Sequence, residues 1–174
     1  MKPIVYCGEE MPIGHLAPMR IACPCAPMNR ELLIDVGFAN HCYTEKFIQG
    51  IHSPDQIVVT EAKDRHRVFC PIRYELSFKL PELIEALPRS KVHQTSQRRN
   101  YVYVVRLKLE KRPYEIYFML QRAANNAEAD LRLTVESAYL AEAGSSFSRR
   151  PNSIRFVILA HKILANQPVK FAPR

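Results

Sequence analysis

The clearest pattern along the chain is an alternation of period two, in which aromatic and aliphatic residues occupy every second position from Tyr101 to Leu109. Such alternation is typical of a β-strand, because successive side chains of a strand point to opposite faces of the sheet. A turn at 110–113 and a second β-rich run at 114–120 then predict an antiparallel hairpin. Alternation returns at 131–140 and predicts a third strand.

Shorter patterns predict elements on either side of these strands. They are a strand at 32–38, a short helix that Thr44 caps and Ser53-Pro54 ends, a hairpin of 56–60 with 66–70, and a two-turn helix at 80–87. Residues 153–166 match both a helical face and a strand, and their length before Pro168 favours the helix.

Residues 1–30 show little periodicity and are rich in proline and cysteine. Because the residue before a proline disfavours helix, this stretch is predicted to be an irregular N-terminal arm that lies extended across the body. Residues 31–174 are predicted to form a single domain. Strands that follow one another with few intervening helices favour an α+β fold, an antiparallel β-sheet meander with short helices packed on it.

Charge adds a possible partner to this picture. Lys plus Arg number 25 against 17 Asp plus Glu, for a net charge of +8, and the excess lies almost wholly between Glu61 and Arg112. A positive surface confined to one segment favours binding of a polyanion such as RNA, although a merely basic domain is the plain alternative. With no long apolar run and no signal peptide, the protein is expected to be cytoplasmic, without a membrane partner.

Several classes of site are disfavoured by the motifs that the sequence lacks. There is no Walker A, GxGxxG, GxSxG or HExxH pattern. Cys23, Cys25, His41 and Cys42 could offer soft metal ligands, but a spacing of one residue is unlike structural zinc sites. We therefore expect no metal and no cofactor, and five free thiols.

One set of residues matches the needs of a metal-independent ribonuclease. It comprises His41, Arg65, His66, Arg67, Arg73, Arg98, Arg99, Thr134, Ser137 and Tyr139. Imidazole can act as general base or acid on the ribose 2′-hydroxyl, and guanidinium can stabilise charge that gathers on the phosphate. The same residue types are also common in polar loops and solvated turns, so the set is a hypothesis.

Four segments carry a resemblance to known families: NHCYT at 40–44, RVFCPIRYELSFKLP at 67–81, RRNYVYVV at 98–105 and LTVESAYL at 133–140. They resemble a bacterial and phage family loosely labelled heat-shock or stationary-phase growth-adaptation proteins. Their order also resembles phage-borne nuclease toxins of the barnase, EndoU, colicin and RelE group.

The resemblance implies roles for particular residues. It would make His41 the catalytic histidine, Arg73 or Arg98 a cation on the phosphate, and Ser137 with Tyr139 the polar pair of the last strand. Arg65, Arg67, Arg98 and Arg99 would then bind the nucleic acid. The toxin resemblance also implies a cognate antitoxin or immunity protein as partner.

Together these features predict a ribonuclease-type toxin or mobile-element effector that acts on cellular RNA without a metal. The alternative from another class is a non-catalytic phage or defence accessory protein, whose basic face holds nucleic acid or an acidic partner protein. A third is a dimeric scaffold that pairs through an exposed strand edge. Convergence of His41 and an arginine within about 6–7 Å, which leaves room for one phosphate, would favour the enzyme.

Overall fold

The computed structural model describes residues 2–95, 100–105, 112–141 and 153–169. Within these ranges the strands fall into three sheets. The first holds β1 (Ile4–Tyr6) and β2 (Glu9–Met11), and the second holds β5 (Thr44–Lys46), β6 (Ile57–Glu61) and β7 (Arg65–Phe69). The third holds β3 (Met19–Cys25), β4 (Arg30–Phe38), β8 (Lys91–Gln94), β9 (Asn100–Val105), β10 (Tyr114–Arg122), β11 (Leu131–Leu140) and β12 (Ser153–Arg155). The helices are α1 (Pro71–Ser77), α2 (Leu80–Glu85) and α3 (Phe156–Leu164).

The predicted α+β class is confirmed, because most strand pairs are antiparallel and the helices are short. The large sheet has the order β12-β8-β9-β10-β11-β4-β3. Its pair of β11 with β4 is parallel, and the other described pairs in this sheet are antiparallel. The meander from β8 to β11 thus ends against the earlier hairpin of β3 and β4.

The strongest sequence patterns correspond to observed elements. The β9–β10 hairpin, β11 as its next strand and the β6–β7 hairpin all form as predicted, and residues 106–109 of the first alternation lie outside the described residues. Helix α2 occupies most of 80–87, and the ambiguous segment contains helix α3 after the three-residue strand β12.

Several segments differ from their predictions. The predicted irregular arm contains the paired strands β1 and β2, and strand β8 was not predicted. Residues 19–25, placed in the irregular arm, form the edge strand β3, which buries Ile21, Cys23 and Cys25 against the core. An edge strand tolerates Pro24 because the missing N–H costs no ladder bond on its outer side. Thr44 begins strand β5 instead of capping a helix, since Thr44–Lys46 pairs with β7. Helix α1 was not predicted, although Pro71 suits its first turn.

The core lies between the large sheet and the helices. Ile116, Phe118 and Leu120 of β10 are fully buried on one face, and Phe156 of α3 packs against Phe118 with ring centroids 6.0 Å apart. Burying large aromatic and aliphatic side chains on one sheet face is the main favourable contribution to folding. In the ranges that the structure covers, no helix is both long and apolar enough to cross a membrane.

The loop before β11 is fastened to β4 by Asp130. Its carboxylate accepts hydrogen bonds from Arg30 at 2.8 and 2.6 Å and from the Leu33 N–H at 2.9 Å. The Asp130 N–H donates in return to the Leu33 carbonyl at 2.9 Å. The Arg30 hydrogen bonds hold the pKa of Asp130 below its ordinary value of 3.8.

Replacing Asp130 with Asn is expected to lower the free energy of unfolding at pH 7 by about 1–2 kcal/mol, because charge-assisted hydrogen bonds are lost. Since folding depresses this pKa, the stabilisation is present above pH 3.8 and is lost as the pH falls through the folded-state pKa. Urea unfolding of the wild type and the variant at several pH values measures both the loss of unfolding free energy at pH 7 and its disappearance at low pH.

The matched control for this prediction is Asp35→Asn, which removes an exposed ion pair with Arg20 on the same sheet. Exposed pairs contribute about 0–1 kcal/mol, so the control should be nearly neutral. Equal losses from the two variants at pH 7 would contradict the role given to Asp130.

Candidate active site

The site lies where β4 ends before β11 does. Strand β4 pairs with Leu131–Val135 only as far as Phe38, and the Ala39 N–H then donates to the Val135 carbonyl at 2.8 Å. The chain continues into a 3₁₀ turn, Asn40–Cys42. The second half of β11, which carries Ser137 and Tyr139, has this turn and α1 beside it instead of a strand.

Two arginines meet at Thr44, which is fully buried. Arg67 of β7 donates from Nε to the Thr44 hydroxyl at 2.7 Å and from Nη2 to the Thr44 carbonyl at 3.0 Å. Arg73 of α1 donates from Nη1 to the same carbonyl at 3.0 Å and to the His41 carbonyl at 3.1 Å. These bonds fix both guanidinium groups and tie β5, β7, α1 and the 3₁₀ turn together.

The His41 side chain hydrogen-bonds to Glu61, the last residue of β6. Nε2 of the imidazole lies 2.6 Å from Oε1 of the carboxylate, and the side chains are 34% and 17% exposed. Burial alone would raise the pKa of Glu61, but hydrogen bonds from His41 and Asn40 outweigh it and lower the pKa below 4.5. The carboxylate is therefore charged at neutral pH and accepts the bond from His41.

The surroundings of this pair are positively charged. The pKa of the Arg67 guanidinium is lower than usual, mainly because the group is buried. The nearby positive charges of Arg73 and Arg65 also lower this pKa, and the negative charge of Glu61 only partly opposes them. Arg65 is mostly exposed, and its Nε lies 3.8 Å from Glu61 Oε2. The guanidinium groups of Arg65 and Arg67 thus lie near the carboxylate of Glu61, and that of Arg73 lies near Arg67. Such a cluster of cations favours binding of an anion.

A second polar network lies on the sheet side of Arg73. The Arg73 guanidinium carbon is 5.0 Å from the ring centroid of Tyr139, and the Tyr139 ring stacks on Tyr117 at 5.3 Å with an interplanar angle of 19°. Tyr117 donates from its hydroxyl to Glu115 Oε2 at 2.6 Å, and Glu115 is only 2% exposed. Ser137 lies opposite Tyr117 in the β10–β11 register.

The structure brings together part of the set that the sequence singled out. Arg73 contacts the backbone of His41 and the ring of Tyr139, and Ser137 is on the same strand as Tyr139. The His41 imidazole, however, bonds Glu61, and among the described residues it forms no hydrogen bond with an arginine side chain. Arg67 is buried and holds Thr44, whereas Arg98 and Arg99 lie outside the described residues.

Sequence analysis missed Glu61, Glu115 and Tyr117 as site residues. Glu61 ends a strand far from His41 in the sequence, and only the hairpin fold of β6 and β7 places it there. Glu115 and Tyr117 belong to a predicted strand, where alternation assigns them to one face without showing that the face is buried. A buried acid between hydrophobic neighbours is the one signal that could have indicated a special role.

The cysteines do not form a cluster. All five are free, and only Cys7 is exposed. Burial raises the pKa of Cys23 to about 11 and that of Cys42 to about 12, so neither is a thiolate at neutral pH. Cys42 donates instead to the Val135 carbonyl at 3.8 Å. No group of three or more potential metal ligands occurs among the residues that the structure describes.

These features define a mixed α+β protein with a histidine–carboxylate pair among clustered arginines. A model of the YjaZ family matches residues 3–164, so the chain belongs to the YjaZ family. No curated protein and no solved structure matches it.

This match corrects the resemblance drawn from the four short segments. The assignment to heat-shock or growth-adaptation proteins and to barnase, EndoU, colicin and RelE toxins is wrong, because the family found is YjaZ and neither of those kinds was identified. The YjaZ match also includes most of the first 30 residues, which the resemblance left unmatched. Short alternating segments such as LTVESAYL recur in many β-sheets and do not specify a family.

Burial of the cysteines leads to a prediction on thiol reactivity. One thiol per native chain, Cys7, should react rapidly with Ellman's reagent, and all five should react after unfolding in guanidinium chloride. A Cys7→Ser variant should show no rapid phase. A second rapid thiol in the native protein, still present in that variant, would contradict the buried state of Cys42 and the other three cysteines.

Proposed function

We propose that this YjaZ-family protein is a metal-independent ribonuclease in which His41 is the general base and Glu61 orients it. The observation that carries the proposal is the 2.6 Å contact of His41 Nε2 with Glu61 Oε1, beside guanidinium groups held on Thr44. A histidine oriented by a carboxylate and neighboured by fixed cations has the parts that phosphodiester transfer to a 2′-hydroxyl needs.

The partner of Nε2 decides which nitrogen of His41 does the chemistry. An ionised carboxylate only accepts hydrogen bonds, so Nε2 carries the proton in the pair with Glu61. In the neutral imidazole, Nδ1 then has the free electron pair. Nδ1 is therefore the atom that takes the proton from the ribose 2′-hydroxyl, and Glu61 stabilises the imidazolium that forms.

Arg73 is the residue best placed to bind the reacting phosphate. Its Nη1 is used by the two backbone carbonyls, while Nε and Nη2 donate to none of the described residues. A guanidinium is permanently charged and presents its donors in a rigid fork that fits two phosphate oxygens. Because Nη1 is already anchored, the remaining donors are preorganised for the charge that develops on phosphorus oxygens.

RNA is the proposed substrate because of the charge distribution. The net charge of +8 lies mainly in the segment that contains Arg65, Arg67 and Arg73, and Arg98 with Arg99 of the same segment would add phosphate contacts. Ser137 beside Tyr139 would contact the same phosphate. The free state of all five thiols supports action in a reducing compartment, the cytoplasm. A toxin role rested on the overturned resemblance and is not part of this proposal.

The test is single-turnover cleavage of total RNA in EDTA. His41→Ala should slow cleavage by about 10²–10⁴-fold, the usual contribution of a general base, with little change in RNA affinity. Glu61→Gln should slow it less, since the imidazole remains but loses its carboxylate partner. The control His161→Ala changes a histidine on α3 and should cleave at the wild-type rate.

The outcomes separate the enzyme from its alternative. RNA that binds tightly but is never cut, with or without added divalent metal, would overturn the ribonuclease and favour a non-catalytic nucleic-acid-binding accessory protein. Equal activity of wild type and His41→Ala would overturn the role of His41. Thermal melting of each variant shows whether a lost activity comes from unfolding.

A further inference from the structure

A cavity of about 780 Å³ lies at the end of β10 away from the candidate active site. The ends of β8, β9 and β10 bound it on one side, and α3 with the segment that follows it bounds the other. Arg122, which lines the cavity, follows Tyr117 by five positions, or about 17 Å at the rise of a β-strand. Sites for small molecules are typically concave and of about 300–1,000 Å³, so this cavity has the size of a second binding site.

The cavity has an apolar floor and a polar rim. Tyr101 and Leu120 are 3% and 0% exposed, and they form the floor. The polar residues that line the cavity are Gln94, Gln121, Arg122, Asn166 and Gln167. The described lining residues thus include four carboxamides and one cation, but no acid. A cavity with this charge favours a ligand that carries an anionic group.

Most of the polar groups on the rim are not used within the protein. The side chains of Gln121, Arg122, Asn166 and Gln167 form no hydrogen bond or ion pair with other residues in the described ranges. Their donors and acceptors are therefore available to a ligand.

The turn that follows α3 fixes the backbone of two of the carboxamides. Asn166 has a φ of 53°, the left-handed conformation that commonly ends a helix. The Asn166 N–H donates to the Ile163 carbonyl at 3.1 Å, and the Gln167 N–H donates to the Lys162 carbonyl at 2.8 Å. These two bonds form a Schellman motif, which satisfies carbonyls of the last helical turn. The backbone that carries Asn166 and Gln167 is therefore held in place before a ligand binds.

We propose that this cavity binds a nucleoside monophosphate, either as a free nucleotide or as the terminal nucleotide of a nucleic-acid strand. Arg122 binds the phosphate, because a guanidinium fits two phosphate oxygens and a single cation matches a single phosphate group. The carboxamides bind the edge of the base, since each offers both a donor and an acceptor, as the edges of nucleobases do. The apolar floor contacts the flat face of the base. Binding at this site does not depend on the ribonuclease activity proposed above.

Simpler ligands use only part of the cavity. Inorganic phosphate would bind Arg122 but leave the floor and the carboxamides unused. A sugar phosphate would place hydroxyl groups against Tyr101 and Leu120, where they would find no hydrogen-bonding side chain on the floor except the tyrosine hydroxyl. A nucleoside without its phosphate would leave the guanidinium of Arg122 unpaired.

Isothermal titration calorimetry with AMP as the probe tests the proposal. The wild type should bind one AMP per chain, and more tightly than it binds adenosine or inorganic phosphate. Arg122→Ala should weaken AMP binding by about 10–100-fold, the effect of losing charge-assisted hydrogen bonds, and should leave adenosine binding nearly unchanged. Asn166→Gly should weaken the binding of AMP and adenosine alike, because glycine keeps the left-handed turn but lacks the carboxamide. The control is Arg132→Ala, which changes an exposed arginine opposite Gln121 on β11 that does not line the cavity, and it should bind AMP like the wild type.

Several outcomes would overturn the site or its ligand. Absence of AMP binding at millimolar concentrations would overturn the site, and so would equal affinities of Arg122→Ala and Arg132→Ala for AMP. Inorganic phosphate that binds as tightly as AMP would overturn the nucleoside part of the ligand. Thermal melting of each variant shows whether a lost affinity comes from unfolding.

A second probe distinguishes the two sources of the nucleotide. It is a 5′-phosphorylated dinucleotide with 2′-O-methyl groups, which cleavage through a 2′-hydroxyl cannot consume. An affinity above that of AMP, lost in Arg122→Ala, identifies the end of a strand as the ligand. An affinity below that of AMP identifies the free nucleotide.

Discussion

The arrangement of the site depends on the carbonyl group of Thr44, to which two guanidinium groups donate. Arg67 reaches it from the small sheet and Arg73 from helix α1, both at 3.0 Å. Two like charges this close repel each other, and burial of Arg67 adds a desolvation cost. The hydrogen bonds to Thr44 and His41, with the carboxylate of Glu61 nearby, offset that cost. Without them neither the 3₁₀ turn that carries His41 nor the cation beside Tyr139 would have a fixed position.

The same interactions give the site its chemical character. Arg73 donates from Nη1 to two backbone carbonyls, and its other guanidinium nitrogens remain available to a ligand. One residue can therefore support the turn and bind an anion. Glu61 offsets part of the charge of Arg67 and also fixes the tautomer and direction of the His41 ring. On the far side of Arg73, the stacked pair of Tyr117 and Tyr139 stands over a buried acid. The 3₁₀ turn of His41, the Arg73 guanidinium and the stacked tyrosines are therefore held within one connected network.

The sequence predicts individual strands well, but it predicts poorly which distant residues the fold brings together. Alternation at 101–109 and 131–140 was enough to predict strands of the meander, because an alternation of period two can be recognised within a single strand. Strand β3 was missed because its proline and cysteines suggested an irregular arm, although its buried residues alternate with exposed ones. Strand β5 is only three residues long, which is too short for a pattern, and it is recognised by its pairing with β7. His41 and Arg73 were found as residue types that suit RNA cleavage. Glu61 was not, since its place beside His41 follows from how β6 and β7 fold back on the 3₁₀ turn.

Analysis of the product ends tests the central claim, that His41 and its arginine neighbours cleave RNA through the ribose 2′-hydroxyl. Mass spectrometry of a short RNA cut in EDTA should find a 2′,3′-cyclic phosphate on one fragment and a 5′-hydroxyl on the other. The same RNA with a 2′-deoxyribose at the cleavage position should bind but remain intact, because the attacking oxygen is gone. Products with a 3′-hydroxyl and a 5′-phosphate, or cutting of the deoxy substrate, would contradict the account.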